Sequence, residues 1–260
     1  MEKALIESAQ RLQNFMKKNN PLILSAHQPV YLPWLGLFHK IALADVFCVF
    51  DIVQYQRKDY NNRNKIKTSH GPKWLTVPVK SAGRFDSFIT NIEIINNGWQ
   101  KKHLRSIELN YKKSLYFEKI YFGLKKILDR PYRYLVDLNF DLLIYLLKII
   151  EIDTKIIKAS DYSFEGSKSD LVLNMCTKLN ADIYIFGEKG KNYADLKSFD
   201  RSEVKCYFQS YNHPSYRQIN NNFEPNLSVL DLIFNEGKAS KSIIMNNNST
   251  KFDIIKSLYE

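Results

Sequence analysis

Cysteine is scarce. Cys48, Cys176 and Cys206 are the three in 260 residues, too far apart for the paired spacings of a zinc site. They read as buried free thiols, and no metal is expected. No uninterrupted apolar stretch reaches the roughly 20 residues of a membrane-spanning helix. The longest, "LLIYLLKII" at 142–150, contains Lys148 and lies between Asp141 and Glu151, which suits a buried helix. The opening "MEKALIESAQRLQNFMKKNN" lacks the basic start and apolar block of a secretory signal. A cytoplasmic protein without membrane insertion is the expectation. Gly-x-Ser-x-Gly, His-Glu-x-x-His and Gly-x-Gly-x-x-Gly are all missing, so serine-hydrolase, zinc-hydrolase and dinucleotide readings have no support.

Positive charge is plentiful. Thirty-eight Lys and Arg against 27 Asp and Glu leave a net charge of +11. The basic residues are scattered, in short runs such as "RNKIK" and "YKK". That pattern suits a small anion, such as a sugar nucleotide or coenzyme A, better than nucleic acid.

The chain reads as one domain over 1–260. Apolar spacing predicts a helix over 2–18. A strand at 22–26, a helix at 34–44 and a strand at 45–51 make a βαβ unit. Strands are expected at 73–79 and 88–94, joined by the turn "KSAGRFDS". Helices follow over about 98–127 and 132–151. A second alternation runs through a strand at 154–160, a helix at 167–180 capped by Ser167, and strands at 182–187 and 203–210. A helix at 227–237 ends at Gly237, and the tail "MNNNSTKFDIIKSLYE" reads as weakly packed. This is an α/β pattern, a Rossmann-like, mostly parallel sheet flanked by helices. Its core covers about 22–95 and 154–237, with an α-helical middle at about 98–151.

In such sheets ligands bind beyond the C-terminal strand ends, and four polar clusters fall there. His27, Gln28, Tyr31 and Trp34 follow the first strand: a base for neutral pH and two rings for stacking. Asp51 and Gln54 follow the second, with Arg63 and Asn64 beyond; the carboxylate suits orienting an imidazole and the guanidinium clamping a phosphate. "GEKGKNY" at 187–193 brings Lys189, Tyr193 and glycines whose amides suit a phosphate. "FQSYNHPSYRQ" at 208–218 brings Tyr211 and His213, placed to face His27 across the sheet edge.

The stretches "HQPVYLPWLGLFHKIALADVFCVFDIVQYQRKDYNNRNKI", "KWLTVPVK", "FQSYNHPSYRQ" and "NLSVLDLIFNEG" resemble, in their order, the WbqC-like family of bacterial and viral sugar-modification clusters, over about 22–237. The resemblance implies a part in surface-glycan synthesis of the O-antigen type. It points to N-acylation of a nucleotide-linked deoxyamino sugar, viosamine (4-amino-4,6-dideoxyglucose) being the expected acceptor and an acyl thioester such as acetyl-CoA the co-substrate. On that chemistry His27, oriented by Asp51, is the first choice of base and His213 the second. Gln28, Gln54 or Asn64 would supply oxyanion donors. Arg63, Lys189 and stacking on Tyr31 or Trp34 would hold the nucleotide. Oligomeric state is open. A weaker resemblance, to the nucleotidyltransferase superfamily, would place its His-x-Gly-His motif on Tyr31, Leu32, Pro33 and Trp34, where both histidines and the glycine are missing. An adenylate-forming enzyme and a non-catalytic sugar-nucleotide-binding protein are the alternatives.

Overall fold

The structure is a computed structural model and describes residues 21–80, 87–219 and 222–259. The helix expected at 2–18 and most of the turn expected after residue 80 lie outside those residues. Five short strands, β1 (Ile23–His27), β2 (Val46–Val49), β5 (Lys155–Lys158), β6 (Ile183–Phe186) and β7 (Lys205–Phe208), form one all-parallel sheet. Its order is β5-β2-β1-β6-β7. The chain winds outward from the central β1 to one edge, returns, and winds to the other, so β1 and β6 flank the topological switch point. The α/β, Rossmann-like expectation is met.

The first crossover helix, α1 (Leu35–Leu43), is buried almost all round, which is why it reads as apolar on more than one face. A long insertion separates β2 from β5. It comprises the antiparallel hairpin of β3 (Arg63–Thr68) and β4 (Gly71–Thr76), then α2 (Trp99–Tyr111), α3 (Phe117–Leu128) and α4 (Leu135–Ile150). Leu142, Leu146 and Ile150 of α4 join Phe38 and Ile41 of α1 in a large core that also takes Phe47 and Val49 of β2. Period-two alternation sends Cys48 to the opposite face, with Leu24 and Ala26 of β1. There α5 (Lys168–Lys178) and α6 (Leu196–Arg201) cover the sheet through Val172, Met175 and Phe199. The chain closes with α7 (Val229–Glu236), α8 (Ser240–Met245) and α9 (Lys251–Tyr259).

Three expectations need correction, for 88–94, the tail and the Ser167 cap, and one strand, β3, was not anticipated. "FITNIEI" is no strand: Ile89 and Ile92, three apart and fully buried, sit on one side of a 3-10 turn at Ile89–Asn91. The basic segment after residue 62 is a strand, β3, whose inward positions Asn64 and Ile66 are buried although only one is apolar. The tail is not loosely attached. Ile254 is fully buried on α9 against Ile23, Leu43, Ile183 and Ile185, and Lys251 pairs with Asp45 at 2.7 Å. Ser167 does occupy the position before α5, but its side chain makes no capping hydrogen bond.

Candidate functional site

Beyond β1 the chain makes a strained turn. Leu32 has φ +47, a left-handed conformation that costs a branched residue on the order of 1–3 kcal/mol. Its side chain is fully buried, and the segment before and into β3 grips the turn with three hydrogen bonds. The Tyr31 amide donates to the Tyr60 carbonyl at 3.1 Å, Asn61 Nδ2 to the Pro29 carbonyl at 2.8 Å, and Asn64 Nδ2 to the Leu32 carbonyl at 2.6 Å. This clamp fixes His27 and Gln28 at the sheet edge.

His27 Nδ1 lies 2.9 Å from the Gln28 carbonyl, which can only accept. The proton therefore sits on Nδ1 and Nε2 keeps its lone pair; among the described residues nothing donates to it. The imidazole lines a slot of about 10 Å³ with Gln28, Phe47, Val49, Leu143 and Asn139. That is close to the space one water needs. Asn139, 2% exposed, donates through Nδ2 to the Asn61 carbonyl, while its Oδ1 is buried without a partner. Two of the side chains that line the slot thus carry an acceptor without a donor of their own. Gln28 Oε1 receives a long bond from Asn61, 3.3 Å, leaving the Gln28 amide N–H groups for a ligand.

Lys40 was not singled out from the sequence. It is 5% exposed on α1 and donates to the Ala26 carbonyl at 3.0 Å. Burial lowers its pKa to about 7. Burial first, and the Lys40 charge second, lower His27 to about 4. The lack of a solvated face on this helix is what marks the lysine, and it shows only in the packing of α1. Its neighbour His39 is fixed: Nε2 donates to the Ser249 carbonyl at 3.0 Å and Nδ1 accepts from Gln209 at 2.8 Å.

From His27 an aromatic series runs outward. Trp34 meets the imidazole edge-on at 5.4 Å, Tyr60 meets Trp34 at 5.2 Å, and Trp74 meets Tyr60 at 5.7 Å. Arg63 lies over Trp74 at 4.4 Å and also donates to the Lys58 carbonyl.

Other expected residues take different places. Asp51 does not orient His27; it is 1% exposed and accepts from the amide and hydroxyl of Ser160, at 2.9 and 2.7 Å, tying the end of β2 to the end of β5. Tyr31 is no stacking platform, being fully buried with its hydroxyl 2.8 Å from His103 Nδ1. Asn64 is spent on the turn clamp. His213 has both nitrogens engaged, Nδ1 donating to the Pro214 carbonyl at 2.9 Å and Nε2 accepting from the Asn226 amide at 3.2 Å, so it is not free to act as a base. Tyr211 packs on His39 at 5.2 Å, and a Cβ on Gly36 would meet its ring at 3.0 Å. Gln54 is exposed on the loop after β2, its backbone paired with Phe88. Lys189 is exposed on the 3-10 turn Glu188–Asn192 beyond β6, and Tyr193, half exposed, meets Phe186 edge-on. Gly190 cradles no anion: its amide donates to the Gly187 carbonyl at 2.8 Å, and a Cβ there would lie 2.6 Å from that of Phe186. Among the described residues no three His, Cys, Asp or Glu side chains cluster as metal ligands would, and no helix is long and apolar enough to cross a membrane.

Residues 28–243 match the WbqC-like protein family. An uncharacterized protein of Mycobacterium tuberculosis is 36% identical over 212 residues, which cover 81% of this chain and 92% of that relative.

Proposed function

The chain belongs to the WbqC-like protein family, and from that premise we propose that it is an N-acyltransferase of surface-glycan synthesis. It moves an acyl group from a thioester such as acetyl-CoA to the amine of a nucleotide-linked deoxyamino sugar of the 4-amino-4,6-dideoxyglucose type. The observation that carries this reading is the slot at the end of β1. It has room for one water-sized group and is lined by two residues whose side chains carry an unpartnered acceptor, His27 and Asn139. An amino group is that size and donates hydrogen bonds.

In the reaction the amine attacks the thioester carbonyl, forming the C–N bond while the nitrogen becomes cationic. His27 Nε2 takes the proton. At a pKa of about 4 His27 is a weak base, and the nitrogen gives up its proton more readily than a free ammonium does once the C–N bond has formed. The C–S bond then breaks, and His27 returns the proton to the departing thiolate. Gln28 donates to the oxyanion through its amide. Cys48 and Cys176 are buried while Cys206, against expectation, is only half-buried, and burial raises the pKa of all three thiols, so a cysteine-bound acyl intermediate is disfavoured. The turn that would have to activate a phosphate for adenylyl transfer is filled by the fully buried Tyr31 and Leu32.

Incubation with a dTDP-linked 4-amino sugar and acetyl-CoA is expected to release free CoA and add one acetyl mass to the sugar. His27→Ala should abolish turnover with the fold intact by circular dichroism. A variant retaining near-normal kcat would show His27 to be structural. ATP consumption without acyl transfer would favour the adenylate-forming alternative.

A further inference from the structure

A groove of about 1080 Å³ runs between the β3–β4 hairpin and α2, about a hundredfold larger than the slot beside His27. It is large enough for a nucleotide-sized ligand. Its lining brings His70, Lys73 and Trp74 from the hairpin against Lys101, Lys102 and Arg105 from α2, with no carboxylate. Arg105 is neutralised in part by exposed Glu108 at 3.1 Å. Lys73, Lys101 and Lys102 have no carboxylate partner among the described residues. Cations left uncompensated along a concave wall focus a positive potential. Trp74 is 39% exposed, with Arg63 and Lys65 over its ring at 4.4 and 5.1 Å, and it is also the outer member of the aromatic series that starts at His27. Cations without carboxylate partners and a partly exposed indole therefore meet along one groove, and the indole's ring contacts lead through Tyr60 and Trp34 to His27.

We propose that this groove binds the nucleoside diphosphate portion of a ligand, its phosphates on Lys73, Lys101 and Lys102 and its base against Trp74. The assignment rests on the acyl-transfer reading for the ligand's further fate. Both the nucleotide sugar and an acyl-CoA carry a nucleoside diphosphate, and the test separates them.

The full chain would be titrated by calorimetry with dTDP, coenzyme A, inorganic pyrophosphate and a short single-stranded oligonucleotide. Either dTDP or coenzyme A is expected to bind and to quench indole fluorescence; the tighter of the two identifies whose diphosphate the groove takes. Lys101→Glu/Lys102→Glu, two surface changes, should weaken that binding about tenfold or more, and Trp74→Phe should remove most of the quench. The proposal is overturned if neither nucleotide binds, if the double variant binds as the parent does, or if the oligonucleotide binds more tightly than both. Nucleotide binding that is sensitive to the double variant, without any acyl transfer, would leave the groove standing and remove the acyltransferase reading. Acyl transfer with KM unchanged by the double variant would do the opposite.

Discussion

At the scale of single residues, the chemistry turns on two bases, the half-buried His27 and the buried Lys40, whose protonation is linked. His27 is neutral at pH 7 because burial and the Lys40 charge both oppose its cation. Removing that charge by Lys40→Met should raise the His27 pKa from about 4, while burial, the larger cause, keeps it below 6.5. NMR titration of the imidazole reads this directly, and an unmoved or lowered value would show the two groups to be uncoupled. His27 was legible in the sequence because histidine directly after a strand, ahead of a proline turn, stands out. Lys40 was not, because a lysine within "LGLFHKIAL" looks like the polar edge of a helix until the packing of α1 is known. Asp51, Asn64 and Tyr31 misled for the converse reason. Polar residues at strand ends serve equally well to close backbone gaps, and their partners, Ser160, the Leu32 carbonyl and His103, are 109, 32 and 72 residues away.

At the scale of elements, the parallel strands were readable since each is a short apolar run between turn residues, and the helices since their apolar positions recur at helical spacing. The β3 strand was hidden, with Asn64 and Lys67 buried where apolar residues would be expected. The turn after β6 shows how a phosphate-loop composition can instead serve close packing. Gly190 lets the turn fold back onto Phe186, whereas Gly187 has open space where a Cβ would stand. Gly190→Ala should therefore destabilise by about 1–3 kcal/mol through overpacking, and Gly187→Ala should be near neutral. Thermal unfolding of the pair checks this; equal melting temperatures would mean the turn yields freely.

Across the whole molecule, buried titratable groups predict how stability follows pH. The folded-state pKa values of His27 and His103 are lowered to about 4, mainly by burial, from 6.5. Between those values the unfolded chain binds more protons, so stability falls as pH drops from 6.5 to 4, on the order of 3 kcal/mol for each group. His39 and His213 are shifted the same way. Lys40, lowered to about 7 from 10.5, adds stability as pH climbs through that interval. Above about pH 10 buried tyrosines such as Tyr31 and Tyr184, held neutral by burial, reverse the trend. Urea unfolding at pH 4, 7 and 9 should give rising free energies, and equal values at 4 and 7 would contradict the burial of these histidines.

The order of strands also dictates the order of assembly. Central β1 can pair with β2 as soon as both have been synthesised, yet its other neighbour, β6, follows about 160 residues later in the chain. Until then one edge of the innermost strand is open, and closing it means bridging the whole helical insertion, a long-range and intrinsically slow step. A nascent chain stalled within that insertion would present an unpaired apolar strand edge, the kind that invites association between copies.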